Sequence, residues 1–366
     1  MNTESTPEHF LRAWVDVDLG ALLRNARAAA RQSQRPLIPM VKADAYGLGA
    51  IPVARALEAV DPLAFGVSSI AEGTELREAG IQRPIIVFTP TLPVDLPRMR
   101  AAGLTPTLDD EAGIRAWDAL GGGAWHLAID TGMHRAGALW DEVESLHDVL
   151  RASPPAGVFT HFHSAELGDG SLERQEERFR VALGRLPARP ALVHSDNSAA
   201  ITRRSPSPWD CVRPGVFLYG VDTGPLAAIH PEQVARFRAR IVEIHTIADG
   251  ESVSYDATFH AHGERRIATL ACGYADGYRR HSSNVGRALV NGHEVPVAGI
   301  VTMDMLMLDV TDAPCKVGDA ATLMGSDDGA TLTVDAVAAR AGVSPYELLT
   351  GLRQRVERRY LGAPAV

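Results

Sequence analysis

Short apolar runs recur along the first 220 residues, and each gives way to a stretch of helical period. The runs are 36–41 (PLIPMV), 63–69 (LAFGVSS), 84–89 (PIIVFT), 104–108 (LTPTL), 125–130 (WHLAID), 157–163 (GVFTHFH), 191–197 (ALVHSDN) and 211–220 (CVRPGVFLYG). Between them, stretches such as IPVARALEAV, IAEGTELREAG and WDEVESLHDVLRAS repeat apolar residues at helical spacing. Alternating strands and helices predict parallel βα units. Eight such units in about 200 residues fit a closed (β/α)8 barrel. A doubly wound open sheet is the structural alternative, but no GxGxxG follows any of the runs.

After Gly220 the pattern changes. VDTGPLAAIHPEQ reads as a linker, and from Ala239 the runs are β-rich: ARIVEIHTI, RIATLACGY, RALVNGHEVPVAGI, MLMLDV and AATLMG. Asn291–Gly292 is a hairpin signal between two of them. The expected organisation is α/β: an N-terminal (β/α)8 TIM-like barrel over 12–230 and a C-terminal mainly-β domain over 231–366. The tail SPYELLTGLRQRVERRY reads as a helix with a charged end.

Composition narrows the function classes. With 46% hydrophobic and 22% charged residues in 366, the chain is an ordinary globular protein with a sizeable core. Its net charge is −9 and no basic stretch interleaves with aromatics, which argues against nucleic acid. Cys211, Cys272 and Cys315 are odd in number and far apart, so neither a disulfide framework nor a metal knuckle is expected. The start, MNTESTPEHFLRAW, lacks the apolar centre of a signal peptide, and no run reaches about 18 apolar residues. The expected location is cytoplasmic, with no membrane partner.

Barrel enzymes place their chemistry at the C-terminal ends of strands. Those ends here carry Lys42, then Asp130 and Arg135, His161, His194 with Asn197 and Ser198, and Arg213. A single polar strand end is commonly just a cap; five such ends point to a converging site. Lys42 alone would read as a solvated surface lysine. It directly continues a buried-type run, however, and Tyr46 and a glycine-rich turn follow. A partly desolvated lysine loses proton affinity and attacks carbonyls as a free amine. That is Schiff-base chemistry, for which pyridoxal 5'-phosphate is the commonest carbonyl cofactor. Its phosphate needs a cradle, and Ser198 at the start of SAAITRR, with Pro214, Gly215 and Val216, offers one. Ser198 reads equally as a helix N-cap. His161 and His163 share a strand face, a spacing that also suits a metal, but no further ligand completes a set, so no metal is expected.

At these residues the chain resembles the alanine racemase family, in order and over nearly its whole length. VKADAYG resembles the family's cofactor-lysine motif; DTGMHRAG, HFHSAE, HSDNSAA and VRPGVFLYG resemble its later barrel motifs. SVSYDATF, GYADGY and TMDMLMLDV resemble those of its C-terminal domain. The resemblance implies a pyridoxal-phosphate enzyme that racemises alanine and works as a head-to-tail homodimer with shared active sites. It implies that Lys42 holds the cofactor and that Tyr255, from the partner subunit, is the second catalytic base. Arg213 would face the pyridine nitrogen with His161 behind it, and Asn197 would sit beside the ring. Tyr46, Ser198, Gly215 and Val216 would hold the phosphate. Arg135 and the backbone of Met303 would bind the substrate carboxylate, and Tyr274 would line the entrance. A tyrosine has a pKa of about 10, so Tyr255 needs cationic neighbours, with His161 and Arg213 the candidates.

Four positions depart from the family pattern. A lysine that orients the substrate-binding arginine is replaced by Ala128. The tyrosine that reaches the phosphate falls, counting from SPYE, on Gln354. The glycine after the catalytic tyrosine is Asp256, and a histidine of the first motif is Leu48. The competing readings are a serine or broad-specificity racemase of the same fold, a non-catalytic pyridoxal-phosphate-binding homeostasis protein, and a barrel decarboxylase for basic amino acids. The extension carrying Tyr255 argues against the second. Cys272 lies in the wrong context for the third.

Overall fold

The computed structural model describes residues 11–362. Most of the opening segment MNTESTPEHFLRAW, and the last four residues of the 231–366 unit, lie outside the described residues.

Six short strands run parallel in one sheet: Phe65–Val67, Ile85–Val87, Thr105–Leu108, His126–Asp130, Gly157–Phe159 and Leu192–His194. Two further runs close the circle through single bridges. The segment 36–41 bridges Gly66 through Met40 and Val212 through Leu37, and Cys211 bridges His194. The Val41 N–H donates to Gly66 O and the Ile38 N–H to Val212 O, each at 2.8 Å. Prolines thin the ladder here: Pro36, Pro39 and Pro214 carry no N–H, so continuous pairing is impossible. All eight expected runs thus take part in a closed barrel.

The second domain is built on the 13-residue strand Ala235–Ile247. It pairs antiparallel with Ala13–Asp18, Arg265–Leu270 and Ala320–Asp327. The Asn291–Gly292 turn joins Arg287–Val290 to His293–Pro296. Its φ values of 48° and 79° are both positive, as a tight two-residue hairpin requires.

Two expectations need correction. The strand Ala13–Asp18 belongs to this second sheet, not to the barrel in which a boundary at 12 places it. The tail is not one helix. Pro345–Thr350 forms a six-residue helix, and Glu357–Leu361 then pairs in parallel with Ala13–Asp18, Trp14 facing Glu357. The reason is long-range: the sheet edge offered by Ala13–Asp18 supplies a ladder that overrides the local helical preference of charged residues. Both ends of the described chain therefore close the second sheet. Among the described residues no helix is long and apolar enough to cross a membrane.

Candidate active site

Lys42 lies at the C-terminal mouth of the first barrel run, followed by an unusual turn. Ala43, Asp44, Ala45 and Tyr46 all adopt left-handed backbone, with φ between 51° and 56°. Four consecutive non-glycine residues in that region cost about 4–8 kcal/mol. The surroundings hold them there. The Ala43 N–H donates to Glu72 Oε1 at 2.8 Å, and Arg358 Nη2 donates to Gly47 O at 2.9 Å. The Tyr360 hydroxyl donates to Leu48 O. At Gly47, φ 83°, a Cβ would sit 2.5 Å from Leu349 O, so the second domain presses on the turn. Strain stored beside a reactive group is a recurring mark of functional sites.

The Lys42 amine makes no hydrogen bond among the described residues and projects into a cavity of about 740 Å³. Burial lowers its pKa, the charges of Arg135 and Arg213 act in the same direction, and Glu72 opposes them. Arg135 also lines this cavity and has no hydrogen-bond or ion-pair partner among the described residues. Two guanidinium groups and the Lys42 amine therefore face one space of ligand size, which suits a ligand carrying phosphate and carboxylate.

Arg213 is fully enclosed. It donates to the carbonyls of Thr160 (2.7 Å), His194 (2.8 Å) and Ser195 (3.1 Å), and to His194 Nδ1 (2.7 Å). Burial pulls its pKa down to about 10, which still leaves it charged at neutral pH. A guanidinium only donates, so His194 must accept at Nδ1 and carry its proton on Nε2. That proton points to His126 Nδ1 at 2.8 Å. The network therefore assigns both tautomers and makes both rings neutral. His161 Nδ1 lies 3.4 Å from Arg213 Nη2, and burial, then Arg213, Arg135 and Lys42, push its pKa down to about 3. His161 is therefore neutral and cannot be one of the cations expected to assist Tyr255, which leaves Arg213 of the two candidates.

Ser198 opens the helix Ser198–Arg203, but its cap is Asn197, whose side chain accepts from the Ala200 N–H. This corrects the N-cap reading of Ser198. Ser198 Oγ instead accepts from the N–H groups of Gly215 (2.8 Å) and Phe217 (3.3 Å). Its own proton is then free for an acceptor in the cavity. The Tyr46 hydroxyl, which has no partner among the described residues, lies so close to Gly215 that a Cβ there would be 2.7 Å away. Val216, Asn197 and His161 line the same cavity.

Tyr255, Tyr274 and Met303 lie elsewhere. None lines the cavity that contains Lys42, and they are 69%, 38% and 53% exposed. They are nonetheless tied to each other. Tyr274 N–H donates to Thr302 O, Ala275 N–H to Met303 O, and Ser254 Oγ to Ile300 O. The structure thus gathers the expected residues into two groups: one around Lys42 in the barrel, one on exposed loops of the β domain. Asp256 has φ 60°, so the position where the family carries glycine keeps a glycine-like backbone. Aspartate is among the few residues that tolerate it.

The sequence reading missed Tyr346, which reaches from the second domain into the cavity with its ring 6.4 Å from that of Tyr46. Gln354, where counting placed the phosphate-side tyrosine, is exposed and does not line it. The missed signal was in the SPYE motif itself: proline at the first helical position fixes the helix start and hence which way the next residue faces. Ala128 lines an adjoining cavity of about 410 Å³ together with Lys42, Arg135 and Ser68.

A closed barrel with a free lysine amine at the mouth of its first strand, in a cationic pocket, is that of a Schiff-base enzyme. Residues 17–223 match the family model "Alanine racemase, N-terminal domain" and residues 234–360 match "Alanine racemase, C-terminal domain". The chain is 36% identical to the alanine racemase of Carboxydothermus hydrogenoformans, covering 95% of this chain and 99% of that one. It is 37% identical to that of Symbiobacterium thermophilum, covering 96% and 98%. Among solved structures it superposes on the E. faecalis alanine racemase with TM-score 0.90 at 29% identity, over 96% and 98% of the two chains. The Bartonella henselae alanine racemase, solved with covalently bound pyridoxal phosphate, gives TM-score 0.87 at 28% identity over 96% and 99%. The chain belongs to the alanine racemase family.

The residues present fit such a cofactor. The cavity offers a free amine for a carbonyl, a free serine proton and a tyrosine hydroxyl for a phosphate, and a bare Gly215 backbone where a Cβ would crowd that hydroxyl.

Proposed function

We propose that the protein interconverts L- and D-alanine with pyridoxal 5'-phosphate, in the cytoplasm, as a homodimer in which each site takes residues from both copies. The observation that carries the reading is the unpartnered Lys42 amine in a pocket with Arg135 and Arg213. The chemistry supplied by the bound cofactor is withdrawal of electron density from the substrate Cα, which makes its proton removable. Inversion then needs a base on each face. Lys42 Nζ serves one face, its proton affinity lowered by burial. Tyr255 of a second copy serves the other. Its exposure, with that of Tyr274 and Met303, suits loops that complete a neighbour's pocket rather than their own. Arg135 binds the substrate carboxylate. Ser198, Tyr46 and Tyr346 would hold the phosphate, with the backbone of Gly215 and Val216 beside it. Asn197 would sit beside the ring, and His161 would stand behind Arg213. Arg213 would face the ring nitrogen as a donor that does not give up its proton, which would keep the ring a moderate electron sink.

The test is to reduce the purified protein with borohydride, locate the fixed cofactor by peptide mass, and follow L- to D-alanine conversion. Cofactor should be fixed on Lys42. Tyr255→Phe should still fix it but slow one direction of half-reaction exchange far more than the other. Equal, small losses in both directions would refute the two-base assignment. A second reading, racemisation of serine or a broader set, is favoured by the space beside Ala128 and Arg135. L-serine turning over faster than L-alanine would select it.

A further inference from the structure

We propose that Glu72 is a positioning residue that holds the Lys42 turn in its left-handed form and so aims the catalytic amine. The inference rests on the role of Lys42 given above. Glu72 opens the helix Ile70–Glu78 as the third residue of a capping box: its N–H donates to Ser69 Oγ, and its carboxylate accepts from the Ser69 N–H. A capping box needs nothing more. Here the same carboxylate also accepts from the Ser68 N–H at 2.7 Å and, with its other oxygen, from the Ala43 N–H at 2.8 Å, 29 residues away in sequence. Ala43 is the residue after Lys42 and the first of the four left-handed residues.

Three features separate this from an ordinary cap. The bond to Ala43 adds nothing to the helix that Glu72 begins. It fixes the amide next to the reactive side chain, at the entry of a turn whose exit is held by Arg358 on Gly47 O. All three partners of the side chain are N–H donors, so both oxygens must accept; a carboxamide would turn its NH2 against at least one of them. Glu72 is also the carboxylate whose charge acts on Lys42 against burial. Left-handed backbone costs energy at each residue, so the turn persists only while its ends are held. Releasing Ala43 lets the turn relax toward right-handed or extended backbone, and Lys42 Cα moves with it.

The experiment compares Glu72→Ala, Glu72→Gln and Ser69→Ala in the holoenzyme. Ser69→Ala removes the cap's other half and leaves the Ala43 contact. Amide hydrogen exchange over 43–47, borohydride fixation at Lys42, and separate kcat and KM are read for each. Glu72→Ala should speed exchange at 43–47 by about tenfold or more. It should lower kcat about a hundredfold, as expected when a reacting group is displaced by an ångström, with KM for alanine little changed. Glu72→Gln should fall in the same direction, and it stands in if the alanine variant does not fold. Ser69→Ala should keep kcat and the exchange of 43–47 near wild type. Equal kcat losses for the Ser69 and Glu72 variants, or unchanged exchange at 43–47 without Glu72, would overturn the proposal. Wild-type protein that fixes no cofactor on Lys42 would refute the racemase reading, while the exchange comparison would still decide what Glu72 does.

Discussion

Replacing His126 by asparagine isolates one buried proton site and gives a worked stability change. In the folded protein His126 accepts at Nδ1 from His194, which is locked in place by Arg213. Protonating that nitrogen would break the bond and set two N–H groups against each other. Burial, and then the Arg213 charge, lower the His126 pKa from 6.5 to about 4. The sign follows from proton counts. Between pH 4 and 6.5 the unfolded chain binds a proton that the folded chain refuses, so the stability present above 6.5 is lost as pH falls toward 4. From pH 7.5 to 5.0 the loss from this one residue is about 2 kcal/mol. Asparagine places an oxygen where Nδ1 stood, so it still accepts from His194 but does not titrate. The smaller side chain leaves space beside Gly157, where a Cβ would lie 2.6 Å from the His126 ring, so the variant starts less stable at both pH values. That baseline cancels in the difference. Urea unfolding of the holoenzyme at both pH values, followed by tryptophan fluorescence, should show wild type losing about 0.5 M more in midpoint than His126→Asn. An equal drop in both proteins would refute the assigned tautomers and the titration argument together.

Substitutions at three further positions test the site from other directions. Tyr346→Phe should weaken cofactor retention on dialysis while leaving the barrel intact, whereas Gln354→Ala should not; absorbance after equilibrium dialysis distinguishes them. Asp256→Val puts a β-branched residue at φ 60° and should cost about 1–2 kcal/mol with a fall in kcat, while Asp256→Gly should keep both, as thermal unfolding and turnover would report.

The eight barrel runs were legible because strands buried on both faces appear as unbroken apolar stretches, a local property. Lys42, His161 and Arg213, which line one cavity, stood out for a related reason: Lys42 follows such a run at once, and the other two interrupt one. Pairing between distant segments leaves no local trace. Nothing near Trp14 announces Glu357 as its parallel partner, and the charged tail was therefore read as helix. Tyr346 was misplaced by counting residues when the direction of a side chain depends on where its short helix starts.

The turn after Lys42 is the sharpest case. Ala-Asp-Ala-Tyr has no glycine, and only its aspartate tolerates left-handed backbone, so local propensity points to a right-handed turn. The observed hand is imposed from outside, by Glu72 at one end and by Arg358 and Tyr360 of the second domain at the other. The Tyr255 loop shows the same logic with a smaller anchor set. There Ser254, Asp256 and Ala257 have positive φ, and the loop rests on Ile300 through Ser254. The strained segments carry Lys42 and Tyr255, the two bases of the proposed mechanism, and both are held by contacts from residues far away in sequence. Local patterns therefore predict which residues are reactive better than they predict the backbone that aims them. Substitutions at anchors such as Glu72 should accordingly change kcat without touching substrate.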